Sequence, residues 1–379
     1  MTNPLRAVAG LRPLAGRPRS TFVAGLALSA ALSAQAVTAD DHFLVGYASA
    51  LLEREYSLPT AGLSVAQGAL RCPDLGLGRL ETEQIRRVLS ALPGIRSVTF
   101  VADPAAATTP AAAVRTTYLT PGRLFEPLLA DPRWPHFHAS YHSYTQYGSA
   151  SSPAREIEQV GSVGFGETLA LLRQRGAVGW RWEAGVQAGV FAIFDLDSDS
   201  KDLINADYVV GPYGVFRYLD TAVLARVFHQ SSHLGDEYLL REQITGSGRV
   251  NLSYEAADLL VSHEGPWGLR AYGGGSHLLS SDPPGLDPWA TQYGLEWRAP
   301  WRLAGLGDSR PIVAADFQNR QENDWSADAS LRAGLLFDDL GRFSQRMAAV
   351  LEFYDGRSPN GQFYADRIQY VGIGLHFYF

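Results

Sequence analysis

The sequence predicts an all-β transmembrane barrel of about 12 antiparallel strands, preceded by a small α/β periplasmic domain. Three observations carry that prediction: long stretches that alternate with a period of two, connections that trade short for long, and a chain that ends on an aromatic. The cleanest alternation is "RWEAGVQAGVFAIFD". There Trp182, Ala184, Val186, Ala188, Val190, Ala192 and Phe194 share one face, while Arg181, Glu183, Gln187 and Asp195 share the other. A soluble β-sandwich also alternates, but over strands of about five or six residues. Segments of about ten residues or more, apolar outward and polar inward, are what a barrel in lipid requires.

Composition sets the outer bounds. The chain has 379 residues, 19% of them charged, and a formal net charge of −7, which gives no footing for nucleic acid. Its single cysteine, Cys72, excludes an internal disulfide. At the N-terminus Arg6, Arg12, Arg17 and Arg19 precede the apolar run "TFVAGLALSAALS", followed by small residues ending at Ala36 or Ala39. That pattern reads as an export signal over residues 1–39, because the apolar run is too short to span a bilayer.

Residues 40–103 read as the small α/β unit. "HFLVGYASALLEREYSL" and "ETEQIRRVLSALPGI" have helical spacing, "GLSVAQGALRC" suits a strand or hairpin, and "RSVTFV" closes as a strand. "ADPAAATTPAAAVRTT" is low in charge and without period, and residues 104–117 are assigned to a linker. The barrel is assigned to residues 118–379. Twelve alternating segments are expected near 136–145, 160–173, 178–194, 206–218, 221–233, 249–262, 268–279, 289–299, 311–319, 326–337, 344–355 and 367–379. Short links such as "EGPWG" alternate with long polar ones such as "HLGDEYLLREQITGSGR", as periplasmic turns alternate with external loops. "APWRLAGLGDSR" is long for the periplasmic side. In the last segment Val371, Ile373, Leu375, Phe377 and Phe379 fall on one face.

The same alternation directs Arg217, Arg226, Arg270, Glu296, Arg298, Asp316, Asp328, Arg332 and Glu352 inward. Twelve strands enclose a narrow interior, since open porins use about 16 to 18. Paired charges are expected to fill it, leaving a closed or nearly closed barrel.

The stretch "HQSSHLGDE" (229–237) ends the fifth barrel segment at the outer rim. With Arg226 inward, Val223, Ala225, Val227, His229, Ser231 and His233 face lipid. His229 and Ser231 are then neighbours on one face, roughly 6.5 Å apart between Cα atoms, as a base and its nucleophile require. Ser232 is the rival nucleophile if the register slips by one. A metal set of His229, His233 and Asp236 needs a helix; on a strand the two histidines are about 13 Å apart. "DLDSDSKD" places Asp195, Asp197, Asp199 and Asp202 as hard oxygen donors for calcium, without the glycine and glutamate of an EF-hand loop. The sequence calls for no cofactor, with calcium as the possible one, and an ordinary solvated loop is the default reading of this stretch.

Four resemblances add to these readings. "LSVAQGAL" and "LPGIRSVTF" resemble the BON module, which implies periplasmic binding or tethering. The His229–Ser231 pair is similar to the H-x-S element of lipid A 3-O-deacylase and outer-membrane phospholipase A. That likeness implies acyl-ester hydrolysis at the outer leaflet, with Asp236 and Glu237 as the acids at hand to orient the histidine. "LFEPLLADPR", "FAIFDLDSDSKDLINADY", "HQSSHLGDEYLLR", "NLSYEAADLLVS" and "FYDGRSPNGQFY" resemble the "domain of unknown function" family numbered 1207, over about residues 118–379. The final strand resembles the assembly signal of outer-membrane proteins, which implies the barrel-assembly machinery as a partner through Phe379. Two functions follow as expectations. The first is an outer-membrane barrel for envelope organisation, binding or narrow transport, in contact with lipid and lipopolysaccharide. The alternative is an outer-leaflet lipid acyl-ester hydrolase.

Overall fold

The computed structural model describes residues 41–55, 58, 60–73, 79–101, 115–119, 124–148, 157–175, 180–241, 252–303, 305, 309–338 and 346–378. The leader and residues 104–114 of the linker lie outside them. In the N-terminal unit, helix α1 (Asp41–Glu55) buries Leu44, Ala48 and Leu52 at four-residue spacing. Strands β1 (Ser64–Ala66) and β2 (Ala69–Pro73) form a hairpin through Gln67 and Gly68, both at positive φ. After α2 (Arg79–Ser90), strand β3 (Ser97–Val101) pairs parallel to β2. Leu70, Cys72, Ile85, Leu89 and Val98 join Ala48 and Leu52 of α1 in one core. The expected order of helix, hairpin, helix and strand is the observed one.

Residues 115–117 are not linker. Strand β4 (Arg115–Tyr118) pairs antiparallel with residues 172–175 of the second barrel strand. The first barrel strand pairs only with residues 159–164 of that neighbour, so its far end offers unpaired backbone that β4 takes up.

The barrel follows: β5 (Phe137–Gly148), β6 (Gln159–Arg175), β7 (Trp180–Asp195), β8 (Leu203–Tyr218), β9 (Thr221–Leu234), β10 (Ser253–Glu264), β11 (Leu269–Asp282), β12 (Trp289–Arg298), β13 (Ser309–Arg320), β14 (Ala327–Phe337), β15 (Arg346–Arg357) and β16 (Arg367–Tyr378). Each falls on one of the twelve predicted segments. Every strand pairs with its sequence neighbours, and β16 pairs with β5, so the 12-stranded antiparallel barrel closes. Closure joins the twelve strands in one continuous ring, the form in which a sheet can span lipid. No helix among the described residues is long and apolar enough to cross a membrane. Alternation holds in register: along β7 Glu183, Gln187 and Asp195 are buried while Val186 is exposed. The long connection after β12 is folded back by a bridge between Leu303 and Ser309.

The interior is not filled by charged pairs alone. Residues 124–136 run inside the barrel as a plug, with Leu124, Phe125, Leu128, Leu129 and Trp134 all buried. Phe125 and Trp134 stack at 5.8 Å and pack with Tyr213, Leu224, Leu260 and Tyr272 from the wall. The inward charges hold this segment by its backbone. Glu183 accepts from Leu124 N at 3.2 Å, and Glu296 accepts from Leu129 N at 2.7 Å. Arg217, Arg270 and Arg332 donate to the carbonyls of Leu124, Pro127 and Leu129 at 3.1, 2.9 and 2.8 Å. An irregular segment inside a barrel needs such partners, because its own backbone groups cannot pair with one another. The expected ion pairs are also present, with Arg226–Asp258 at 2.6 Å and Arg270–Glu296 at 3.1 Å. Closure is thus achieved by a plug whose polar backbone the predicted charges satisfy.

Candidate functional site

The stretch 229–237 divides between the two faces of β9. Ala222, Leu224, Gln230 and Ser232 are buried toward the lumen, whereas Ala225, Val227 and His233 are exposed outward. The predicted register therefore holds, and it separates the two adjacent serines. Ser232 Oγ donates to Asn205 Oδ1 at 3.0 Å, and its carbonyl accepts from Gln362 Nε2 at 2.8 Å. Gln362 belongs to a short 3-10 turn (Gly361–Phe363) of the last long loop, which folds into the barrel mouth and buries Phe363. Asp207 ties this loop to the plug, accepting from Gly361 N at 3.1 Å and pairing with Arg133 at 2.8 Å. Ser232 is thereby a structural residue of the closed mouth.

His229 and Ser231 lie on the outward face. At about 3.3 Å per residue and a tilt of about 45°, they stand about 19 and 23 Å above Thr221 along the barrel axis. An apolar band about 25 Å tall places both near its outer edge. Around them Tyr208, Val210, Val227 and Leu259 expose an apolar surface suited to acyl chains.

His229 has an acid partner that the sequence did not single out. Glu255 on β10 sits directly opposite His229 in the ladder, and its Oε1 is 2.8 Å from His229 Nδ1. Ser280 on β11, opposite Glu255 in turn, donates to Glu255 Oε2. A carboxylate only accepts, so Nδ1 carries the proton in this contact. Asp236 and Glu237, the acids expected to orient His229, instead open helix α3 (Asp236–Arg241) and are exposed there. They share the helix N-terminus, where acids are favoured, and no hydrogen bond joins either to His229. Sequence distance concealed Glu255: it is 26 residues from His229, and only the β9–β10 register brings the two together.

The four aspartates of the loop after β7 do not converge on a common point. Asp195 accepts from the N–H groups of Asp197 and Ser198, and Asp197 accepts from those of Glu158 and Gln159. These carboxylates fold the loop and pin it to β6. Among the described residues only His136, His138 and His376 bring three ligand atoms within 4.8 Å of one another. All three are in the lumen.

Above the plug a cavity of about 190 Å³ opens toward the long loops. Asp131 and Arg133 of the plug form part of its lining, together with Arg226, Asp258, Tyr254 and Trp289 from the wall and loops.

A closed, plugged 12-stranded barrel with an apolar outer face defines a protein of the bacterial outer-membrane barrel class. The chain belongs to the family described as "Protein of unknown function (DUF1207)", which matches residues 102–379. No curated protein matches it. Among solved structures it is similar to the Salmonella typhi outer membrane phospholipase (OMPLA) dimer with bound calcium. The identity there is 13% and the TM-score 0.44, over 65% of this chain and 93% of that one. It is similar also to outer membrane phospholipase A from Escherichia coli, at 13% identity and TM-score 0.42, over 67% and 93% of the two chains. The beta domain of the Bordetella autotransporter BrkA matches at 18% identity and TM-score 0.36, over 64% and 99%.

Proposed function

We propose that this barrel is a hydrolase of lipid acyl esters that works from its lipid-facing outer rim, with Ser231 as nucleophile, His229 as base and Glu255 as the group that orients His229. The observation that carries the reading is the 2.8 Å contact between His229 Nδ1 and Glu255. A histidine and a glutamate paired on the outward face of a membrane barrel are costly to keep near lipid, and groups of this kind mark functional sites. With Nδ1 committed to Glu255, Nε2 is the basic atom, and Ser231 lies two residues on along the same face. In the reaction His229 Nε2 takes the Ser231 proton as Oγ attacks the ester carbonyl carbon. The proton then passes to the departing alcohol oxygen as the ester C–O bond breaks. Water, deprotonated by the same nitrogen, releases the fatty acid and restores Ser231. Access comes from the membrane plane, so a closed lumen is compatible with the chemistry.

Refolded full-length protein in mixed micelles should release fatty acid from phospholipid or lipid A. Ser231→Ala and His229→Ala should each lower that rate by at least about a hundredfold, the usual contribution of a positioned acid–base group or more. No release from either lipid, or release unchanged in both variants, defeats the proposal.

A second reading follows from the cavity above the plug. Its lining of Arg133, Arg226, Asp131 and Asp258 suits a small polar ligand held from the external side. It deepens the expectation of a binding barrel and fits a plugged lumen better than transport does. The α/β unit, read as a BON-like module, would then act as a periplasmic tether.

A further inference from the structure

The trio His136, His138 and His376 lies inside the barrel, away from the rim. It joins three pieces of chain: the end of the plug, β5 and β16. The hydrogen bonds around it decide where its protons are. His136 Nδ1 is 2.6 Å from the carbonyl oxygen of Trp134, which only accepts, so that nitrogen carries the proton and Nε2 a lone pair. His376 Nε2 is 2.5 Å from Glu352 Oε1. Glu352 also pairs with Arg332 at 3.2 Å and with His142 Nε2 at 2.6 Å, so it serves as an acceptor and His376 Nε2 carries the proton. Nδ1 of His376 then has a lone pair. Yet His136 Nε2 and His376 Nδ1 face each other at 2.7 Å. Two lone pairs do not sit at that distance unless a positive centre lies between or beside them.

A single proton would join these two nitrogens and leave the third histidine unexplained. His138, only 8% exposed, turns into the same cluster and bonds Ser162 Oγ through Nε2 at 3.3 Å. Its Nδ1 is buried without a hydrogen-bond partner. Gly164 makes room for that ring: a Cβ there would fall 2.3 Å from His138 Nδ1 and Cε1. Beside His138 and Glu352 is a cavity of about 30 Å³, enough for a water molecule.

From this arrangement we infer a divalent transition-metal site, of zinc type, formed by His136 Nε2, His376 Nδ1 and His138 Nδ1, with water as fourth ligand. Three neutral imidazoles select zinc or its neighbours over calcium or magnesium. The partners of the outer nitrogens, Trp134 O and Glu352, are the kind that orient metal-bound histidines. Zinc–nitrogen bonds of about 2.1 Å in tetrahedral geometry set the ligand atoms about 3.4 Å apart. The 2.7 Å contact must open by about 0.7 Å and His138 must close in, both within the reach of side-chain rotation. The metal would clamp the plug to the barrel seam. This site is independent of the rim chemistry.

The test uses tag-free, refolded full-length protein, dialysed against chelator and then loaded with zinc or copper(II). One zinc per chain after exhaustive dialysis is expected, with a raised melting temperature that chelator reverses. Copper(II) should give an electron paramagnetic resonance spectrum with splitting from three nitrogens, which needs no substitution at all. His138→Gln should weaken zinc at least tenfold, and Glu352→Gln about 10- to 100-fold through the orientation of His376. His263→Gln, on the exposed face of β10 and away from the trio, should leave zinc binding unchanged. Absence of stoichiometric zinc in the unaltered chain, copper bound by fewer than three nitrogens, or undiminished binding in His138→Gln overturns the inference.

Discussion

Replacing Glu296 by alanine should loosen the plug and let the barrel conduct. Glu296 is fully buried on β12, where Oε1 accepts from Leu129 N at 2.7 Å and Oε2 pairs with Arg270 at 3.1 Å and Arg298 at 3.2 Å. Its removal strands one plug N–H and takes a counter-charge from two arginines. Breaking a buried pair on one side costs about 3–5 kcal/mol. The lower end applies, because Arg270 keeps the carbonyls of Pro127 and Glu126, and Arg298 keeps Glu126 at 3.5 Å. About 3 kcal/mol is a factor of about 150 in the ratio of released to seated plug. In planar bilayers at neutral pH the unaltered protein should be silent for long periods. Glu296→Ala should show openings at least about a hundredfold more frequent, with the heat-modifiable band of a folded barrel retained on gels. Steady conductance in the unaltered chain would refute the plug as a seal. Unchanged silence in a folded Glu296→Ala barrel would refute the role given to the buried carboxylate.

Other consequences can be measured separately. Glu255→Gln should slow fatty-acid release about tenfold or more while leaving barrel stability near its starting value, since the His229–Glu255 pair is half exposed and such pairs contribute little to folding. Gly164→Ala should impair folding or displace His138, because the added Cβ would overlap the imidazole at 2.3 Å; normal assembly with unchanged metal binding would contradict this packing. Burial pushes the Cys72 thiol up to about 12 from an ordinary value of 9.0. Cys72 should therefore resist disulfide reagents at pH 8 in the folded chain and react on unfolding. The sign of the linkage also follows: the folded unit holds the thiol proton more tightly than the unfolded chain, so stability present below pH 9 should fall between about 9 and 12.

Much of the barrel is legible in the linear chain because lipid imposes a local rule. Each spanning residue faces either hydrocarbon or lumen, and the choice reverses at every step. That is why the residues of β7 and β9 declare their faces, and why His229 and Ser231 could be set outward before any pairing was known. The linker boundary failed for a different reason: Arg115–Tyr118 has no alternation of its own and becomes a strand only because β6 outruns β5. The plug escaped notice in the same way. "LFEPLLADPRWPH" carries three prolines and no period, so nothing local marks it as buried.

Periodicity, the alternation of loop lengths and the aromatic end of the chain are enough to specify a closed outer-membrane barrel and the facing of its rim. They are properties of neighbouring residues, and the solvent on each side reads them directly. Which acid meets His229, which serine holds the mouth, what fills the lumen and which histidines gather around Glu352 depend on contacts between residues far apart in the chain. Glu296 reaches Leu129 across 167 positions, and His136 reaches His376 across 240. Such pairs leave no mark on the local pattern, because the register and closure that bring them together are set by the barrel as a whole.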